Sequence, residues 1–180
     1  MEEENKKLMT LIFPVREGEV LLGMKKVRWG AGNWNGFGGK VKVGDEKEEG
    51  EEDEAIESAA VRELAEEVGL IANSIEKKGV ITFHNAKINT TAEVHVFTTD
   101  DFSGEPTESD EMTPQWFKVS ELPLSEMWRA DKEWVPRVFE EGEFKGEFFY
   151  NENDELVDFS VENIKEEEKE LSPEPRITLR

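Results

Sequence analysis

Three closely spaced glutamates are the residues whose types and spacing are best suited to chemistry. Glu63, Glu66 and Glu67 lie at positions i, i+3 and i+4, so a helix would place their carboxylates on one side. Like charges at this spacing destabilise an isolated helix by about 0.2–0.5 kcal/mol per pair, whereas one divalent cation neutralises several carboxylates at once. The spacing therefore predicts a Mg2+ site. The alternative interpretation is a solvated helix face in an acidic protein.

The apolar residues around these acids predict the helix that would position them. Ile56, Ala60, Leu64 and Val68 recur every four residues and form a stripe along one helix face. Gly69 follows directly, at the position where a helix-ending residue is expected. The glutamates would then lie on the side of the helix that faces away from the core.

The rest of the chain is predicted to consist mainly of strands. Residues 29–39 are rich in glycine, tryptophan and asparagine, and they are predicted to form a loop in which the backbone turns tightly or approaches another group closely. A further helix is predicted over residues 131–140. The segments with strand patterns are 8–15, 20–25, 79–84, 92–99, 115–119, 144–150 and 156–161.

The composition excludes several classes of protein. The 22 basic and 43 acidic residues give a net charge of −21, which argues against partners such as nucleic acid polymers or anionic membranes. The absence of cysteine excludes disulfide scaffolds, thiolate zinc sites and iron–sulfur clusters. No apolar segment approaches the roughly 20 residues that a membrane span needs, so we expect a soluble, cytoplasmic protein. We expect His84 and His95, both in predicted strands, to be structural.

A two-part motif resembles the signature of the Nudix hydrolases. Its first part is Gly38-Gly39-Lys40, and its second is the run R-E-L-A-E-E-V-G-L over residues 62–70. The family pattern is a glycine, a spacer, an acid and then R-E-apolar-x-E-E-x-G-apolar, and the second half matches here at every fixed position. A chance match of this length is very improbable.

The similarity extends from about residue 8 to residue 160, where the chain looks like the animal-type oxidised purine nucleoside triphosphatases of this family. It implies an α+β fold, with a mixed β-sheet between helices, as one Nudix domain at residues 1–161 followed by a charged, mobile tail at 162–180. The implied reaction is Mg2+-dependent hydrolysis of oxidised purine nucleoside triphosphates, such as 8-oxo-dGTP or 2-oxo-dATP, to nucleoside monophosphate and pyrophosphate. The implied role is nucleotide-pool sanitation, a part of DNA repair, by a monomer that uses Mg2+, with Mn2+ as a possible substitute.

The resemblance also implies individual roles. The Mg2+ ligands would be the carbonyl of Gly38 and the carboxylates of Glu63, Glu66, Glu67 and Glu111. The nucleotide contacts would come from Thr10, Lys25, Asn35, Phe83, Trp128 and Asp131. Among these, Trp128 would stack on the base, Asn35 and Asp131 would read its edge, and Phe83 with Trp29 would wall the pocket. Arg62 would orient the helix acids by pairing with them, and the general base would be Glu66, Glu67 or Glu111.

The chain departs from the family pattern in its spacer, which is nine residues longer. Counted forward from Gly39, the pattern's first acid is Asp45, whereas counted back from Arg62 it is Glu54. The surplus is an acidic stretch at about residues 45–53. We expect a solvated loop insertion, and a regulatory or additional metal function is the alternative.

The chain also departs from the family at the predicted base pocket. The family has two neighbouring aspartates after the stacking tryptophan, whereas this sequence reads Trp128-Arg129-Ala130-Asp131. Ala130 has no side-chain group that could hydrogen-bond to a base edge, and such bonds discriminate more strongly than shape does. The alternatives are therefore a Nudix pyrophosphatase for another nucleoside triphosphate or a dinucleoside polyphosphate, or a non-catalytic nucleotide-binding module.

Overall fold

A computed structural model describes residues 4–28, 30–165 and 176–178 of the chain. Within these ranges the helices are α1 (Ile56–Val68) and α2 (Asp131–Trp134), with short 3-10 turns at 44–46, 119–121, 124–126 and 135–139. The strands are β1 (Asn5–Arg16), β2 (Glu19–Lys25), β3 (Trp34–Asn35), β4 (Ile71–Asn85), β5 (Thr90–Ser103), β6 (Met112–Lys118), β7 (Phe144–Tyr150), β8 (Leu156–Asn163) and β9 (Arg176–Thr178).

The strands form a mixed sheet in the order β3-β2-β1-β5-β4-β7-β8, with β6 paired to β2 and β9 paired to β4. β1 runs parallel to β5, and β4 runs parallel to β7, whereas the β1–β2, β4–β5 and β7–β8 pairs are antiparallel. Helices lie on both faces of the sheet, since each face has its own apolar cluster that includes helical residues. The predicted α+β fold with a mixed sheet is confirmed.

The alternation of side chains along β1 divides the core into two clusters. Ile12 contributes to the cluster beneath α1, whereas its neighbour Phe13 contributes to the cluster on the opposite face, because successive strand residues point to opposite sides. Trp34 and Trp134 belong to this opposite-face cluster, so both indoles are part of the core.

Helix α1 has the bounds that its apolar stripe predicts. Ala60, Leu64 and Val68 are buried against the sheet. Gly69 ends the helix in the left-handed conformation with φ 75°, which glycine adopts without the steric penalty of a Cβ atom. Its backbone N–H donates to the carbonyl of Ala65, so the last turn closes on itself.

Other elements differ from the sequence-based expectation. β4 begins at Ile71 rather than at residue 79, and the additional part is irregular and pairs with the end of β5. The helix predicted over 131–140 is α2 followed by a 3-10 turn, and Pro136 at the start of that turn lacks the N–H that an α-helix would need.

The C-terminal part of the chain contains more sheet than expected. β8 continues to Asn163, two residues past the predicted end of the domain. β9 lies in the segment predicted to be a mobile tail, and it pairs with residues 74–76 of β4. Residues 166–175, 179 and 180 of that segment lie outside the described part of the chain. No helix in the described ranges is both long and apolar enough to cross a membrane.

Candidate active site

Glu67 is the most deeply buried acid on helix α1. Its side chain accepts a hydrogen bond of 2.9 Å from the backbone N–H of Gly38, and only 8% of the residue is exposed. Burial raises the pKa of this carboxyl to about 8, the Gly38 hydrogen bond opposes that shift, and the negative charges of Glu63 and Glu111 add to it. At Glu67, burial and the two neighbouring acids therefore outweigh the opposing effects of the Gly38 hydrogen bond and the Lys25 charge.

The glycine loop approaches β1 and α1 so closely that side chains at its last two positions would collide with neighbours. A Cβ atom on Gly39 would lie 2.6 Å from Glu63 Oε1, and one on Gly38 would lie 1.9 Å from the carbonyl oxygen of Thr10. The loop is also tied to β1, because the backbone N–H of Thr10 donates to the Gly39 carbonyl at 2.9 Å. The two glycines thus allow backbone and carboxylates to share one small volume.

Arg62 connects the helix acids to the segment that precedes them. Its guanidinium donates twice to Glu54, at 2.7 and 3.0 Å, and also to Glu63 at 2.9 Å and Glu66 at 3.1 Å. A further bond of 3.1 Å reaches the carbonyl of Lys40. Glu54, and not Asp45, is therefore the acid that pairs with this arginine.

The remaining two acids lie at the rim of this cluster. The side chain of Glu66 is 57% exposed, and Glu111 is half-buried in the loop before β6, where its carbonyl accepts the N–H of Lys26. Burial raises the pKa of Glu63, the Arg62 hydrogen bond opposes that shift, and the charges of Glu66 and Glu111 add to it. Across the ranges that the structure describes, no three carboxylates or imidazoles converge closely enough to coordinate one ion.

Two of the predicted nucleotide-binding residues, Lys25 and Trp128, lie next to each other beside these acids. A Cβ atom on Gly30 would lie 2.9 Å from Trp128 Cζ2 and 3.5 Å from Lys25 Cδ, so the indole and the lysine stem both contact this glycine. The charge of Lys25 also lowers the pKa of Glu67. Lys25 thus lies between the half-buried indole and the buried carboxylate.

Asp131 lies beside Trp128 and is itself almost completely buried, with 4% exposed. One carboxylate oxygen accepts the backbone N–H of Trp128 at 3.0 Å, and the other accepts the indole N–H of Trp134 at 3.1 Å. Burial raises the pKa of Asp131 to about 7, and the two hydrogen bonds oppose the shift. Its neighbour Ala130 is buried as well, with 1% exposed.

Aromatic rings form the wall of the sheet next to this region. The ring of Phe83 stacks on Phe148 with centroids 5.4 Å apart, and Phe148 stacks in turn on Phe159 at 5.6 Å. Tyr150, two residues along β7 from Phe148 on the same face, was not predicted as a site residue. Its pKa is raised by burial and then by the charge of Asp131, while Arg129 lowers it. The alternating apolar pattern of β7 could have revealed Tyr150.

Not every predicted nucleotide contact lies on this face. Thr10 shares its face with Ile12, on the α1 side, and its buried hydroxyl has no hydrogen-bond partner among the described residues. The side chain of Asn35 accepts the N–H of Gly36 at 2.8 Å. Trp29 lies outside the described residues.

The two histidines contact carboxylates on neighbouring strand positions. His84 is 2.7 Å from Glu147 Oε1, and His95 is 2.6 Å from Glu93 Oε1. Each ring thus has a carboxylate partner on the sheet, with 32% of the His84 side chain and 12% of the His95 side chain exposed.

Comparison with known proteins places the chain among relatives of similar length. The NUDIX domain model matches residues 7–138. An oxidized purine nucleoside triphosphate hydrolase of Danio rerio is 43% identical over 160 residues, which cover 89% of this chain and 97% of the relative. The protein of the same name from Mus musculus is 39% identical over 158 residues, covering 88% and 96%. The crystal structure of a MutT protein from Bacillus halodurans gives a TM-score of 0.69 at 26% identity, covering 86% of this chain and 97% of that one.

Proposed function

This chain belongs to the NUDIX family, and we propose that it hydrolyses oxidised purine nucleoside triphosphates to nucleoside monophosphate and pyrophosphate. The observation that carries this proposal is 43% identity across 97% of a relative named for that activity. The geometry supports it, because the glycine loop, the acids of α1 and the indole of Trp128 form one continuous region. The expected substrates are of the 8-oxo-dGTP and 2-oxo-dATP type.

The donor chemistry of these acids suits a hard divalent cation, although in the described ranges no three of them converge on one point. All the candidate ligands are oxygens, which suits Mg2+ or Mn2+. The buried carboxyl of Glu67 has a pKa raised by desolvation and by two neighbouring acids, and a bound cation would reverse that unfavourable electrostatics. The groups proposed to hold the ion are the Gly38 carbonyl and the carboxylates of Glu63, Glu66, Glu67 and Glu111. When bound, such an ion neutralises phosphate charge and lowers the pKa of coordinated water.

Arg62 and the glycine loop hold the acids in place for this chemistry. Arg62 restrains Glu63 and Glu66 through one nitrogen, Nη1, and Gly38 restrains Glu67 through its backbone N–H. A carboxylate that does not hold the ion would accept the proton of the attacking water, so the chain supplies a general base without forming a covalent intermediate. Glu66, Glu67 and Glu111 are the candidates for that base.

The opposite end of the region would bind the nucleoside. We assign the stacking platform to Trp128 and the pocket wall to Phe83, because both present half-buried aromatic surface. Lys25 lies between Trp128 and the acids, which suits contact with the phosphate chain. Asn35 and Asp131 complete this end, nearest to the base edge by resemblance. Thr10, on the α1 side of the sheet, is the remaining contact of the proposed set.

Pyrophosphate release from 8-oxo-dGTP and from dGTP, measured with Mg2+, tests the proposal. We expect faster turnover of the oxidised nucleotide, and we expect Glu67→Gln to lower kcat by at least about 100-fold, the range of general acid–base and ligand effects. Glu152→Gln, an exposed change in the β7–β8 turn, is the matched control. Equal turnover of both nucleotides would contradict the oxidised-base preference. An unimpaired Glu67→Gln variant would contradict the assignment of the acid site.

A second candidate keeps the chemistry and changes the substrate. Ala130 leaves the base pocket with one fewer hydrogen-bonding group than the family pattern has. This difference favours a broader range of purine triphosphates, or a dinucleoside polyphosphate, as substrate. A panel of purine triphosphates and diadenosine polyphosphates, compared by kcat/KM, distinguishes these substrates. A non-catalytic binding module is the third possibility, and it predicts nucleotide binding without turnover.

The proposed setting follows from the proposed substrate. Hydrolysis of oxidised triphosphates removes them before a polymerase can use them, so we propose a role in nucleotide-pool sanitation in the cytoplasm. We further propose that the protein acts as a monomer, which size-exclusion chromatography with light scattering tests directly.

A further inference from the structure

The loop between β5 and β6, residues 104–111, is tied to two different elements of the fold. On one side, the backbone N–H of Thr107 donates to the carbonyl of Val68, the last residue of α1, at 2.9 Å. On the other side, the backbone N–H of Lys26, directly after β2, donates to the Glu111 carbonyl at 2.8 Å. The loop therefore spans from the end of α1 to the end of β2, and Glu111 lies on the β2 side.

The side chain of Lys26 restrains the part of this loop just before Glu111. Its ammonium group donates to Glu108 Oε1 at 2.8 Å and to the carbonyl of Ser109 at 3.0 Å. The hydroxyl of Ser109 accepts the backbone N–H groups of Glu111 at 3.3 Å and of Met112 at 3.1 Å. The backbone N–H of Ser109 also donates to the Met112 carbonyl at 3.0 Å. Lys26 and Ser109 thus restrain the backbone on both sides of the Glu111 side chain.

The restrained residue lies close to the acids of α1. Burial raises the pKa of Glu63 and of Glu67, and the charge of Glu111 adds to both shifts. The Glu111 carboxylate is therefore within electrostatic reach of two helix acids, although it comes from a separate segment. Because this segment is a loop, the position of its carboxylate depends on the contacts that hold the loop.

From this geometry we infer that Lys26 is a positioning residue that holds Glu111 towards α1 for metal binding. The inference rests on the proposed function only in taking Glu111 as one ligand of the divalent cation. Lys26 itself would not touch the ion, since an ammonium group has donors and no acceptor. The alternative is an ion pair without a role at the site, because the side chains of Lys26 and Glu108 are 37% and 58% exposed and such pairs contribute little.

The two interpretations predict different directions of change in metal affinity. Removal of a lysine makes the surroundings of the acids more negative, so its charge alone would leave cation binding unchanged or make it tighter. Loss of a positioning residue instead weakens cation binding, because Glu111 is no longer held near the other ligands. A positioning residue also acts through its partner, so its effect disappears when Glu111 is replaced.

Titration of the full chain with Mn2+, followed by electron paramagnetic resonance, tests the inference without nucleotide or turnover. Dissociation constants are measured for wild type, Lys26→Met, Lys26→Arg, Glu111→Gln and the double variant Lys26→Met/Glu111→Gln. We expect Lys26→Met to weaken Mn2+ binding by about 3- to 10-fold, at the lower limit of such supporting effects because the lysine is partly exposed. Lys26→Arg keeps the charge and the donors, so its affinity should be within about 2-fold of wild type. On the Glu111→Gln background, Lys26→Met should have less than about a 2-fold effect.

Two results of this titration would overturn the inference. One is Mn2+ binding that is unchanged or tighter in Lys26→Met, which indicates an ion pair without a positioning role. The other is an undiminished effect of Lys26→Met in the Glu111→Gln background, which indicates an effect that does not act through Glu111. Lys118→Met, at the opposite end of β6 with a side chain 66% exposed, controls for the loss of one surface lysine and should bind Mn2+ like wild type.

A measurement without metal examines the same restraint directly. Amide hydrogen exchange at Glu111 and Met112 should accelerate in Lys26→Met and in Ser109→Ala, because the Ser109 hydroxyl accepts both N–H groups. Unchanged protection of both amides in Lys26→Met would overturn the inference. If Lys26→Met does not fold, Ser109→Ala perturbs the same turn and should also weaken Mn2+ binding.

The inference and the proposed function fail in different ways. Wild-type protein that binds Mn2+ but hydrolyses no nucleotide would refute the proposed function and leave the inference about Lys26 intact. Wild-type protein that hydrolyses the oxidised nucleotide, combined with Mn2+ affinity that does not fall in Lys26→Met, would refute the inference and leave the proposed function intact.

Discussion

Replacement of Glu54 by glutamine tests how the segment before α1 supports the helix acids. Glu54 pairs with Arg62 through two hydrogen bonds of 2.7 and 3.0 Å, and it also accepts the backbone N–H of Lys42 at 3.0 Å. Its side chain is 14% exposed and that of Arg62 is 22% exposed, so water screens the pair only partly. Glutamine keeps one acceptor oxygen and loses the charge. Since hydrogen bonds to charged groups contribute about 1.5–3 kcal/mol, we expect a destabilisation of about 1–3 kcal/mol.

The pH dependence of this difference has a definite sign. The Arg62 hydrogen bonds lower the pKa of Glu54 below its ordinary value of 4.5, and burial opposes them. The ionised form is thus favoured by folding, and its contribution is fully present above the pKa of the unfolded chain. It is lost as the pH falls through the lower pKa of the folded state. The stability gap between wild type and Glu54→Gln should therefore be constant near neutral pH and shrink below about pH 4.5.

Urea unfolding monitored by tryptophan fluorescence, together with pyrophosphate release, measures both consequences. We expect a lower unfolding midpoint and roughly a 10-fold loss of kcat, because Arg62 would no longer be held against the helix acids. Asp45→Asn is the matched control, since Asp45 is the other candidate for the first acid of the motif and is exposed. Equal effects of the two substitutions, or none for Glu54→Gln, would refute this account of the ion-pair network.

Three further predictions follow from the same geometry. Replacement of residues 45–53 by a short glycine linker should change the equilibrium constant of unfolding and the turnover number by less than about 2-fold. The reason is that the N–H of Glu54 already donates to the Lys42 carbonyl across the base of the loop. Loss of folding would contradict this prediction. Gly38→Ala should cost at least about 1–3 kcal/mol in urea unfolding, since its Cβ meets backbone, whereas Gly39→Ala should mainly reduce kcat by displacing the Glu63 carboxylate. Burial raises the pKa of Asp131 to about 7 in the folded chain, compared with 3.8 in the unfolded chain. The protonated side chain therefore contributes fully to stability below pH 3.8, and this contribution is lost as the pH rises to about 7. Unfolding free energies measured at several pH values should show this loss for wild type but not for Asp131→Asn.

Helix α1 could be predicted because all of its signals are local. The apolar stripe from Ile56 to Val68 and the glycine that follows are both readable within one stretch of chain, and the structure has the same bounds. The first half of β4 could not be predicted in this way. It contains Ser74, Glu76 and the buried Lys78, and its strand conformation depends on irregular pairing with β5, a feature of tertiary structure rather than of local pattern.

The identity of the first motif acid shows the same limit for the site. Counting forward from Gly39 gives Asp45, and counting back from Arg62 gives Glu54, because the inserted residues lie between the two halves of the motif. The sequence therefore leaves both as candidates. The structure distinguishes them through the reach of Arg62, whose guanidinium contacts Glu54 directly. Spacing on one helix therefore fixes which acids share a face, whereas contacts between separate segments decide which acid supports them.

Asp131 illustrates why the role of a residue is harder to predict than its membership of a site. The motif places it next to Trp128, and the structure agrees, but its carboxylate is oriented by the indole of Trp134, which belongs to the core. Ala130 makes the remaining acid more important, because without a second acid the base edge can be read only by groups that still have free hydrogen-bonding capacity. Under the proposed function, base selectivity would depend on the acceptor capacity of the Asp131 carboxylate that the two tryptophan donors leave unused.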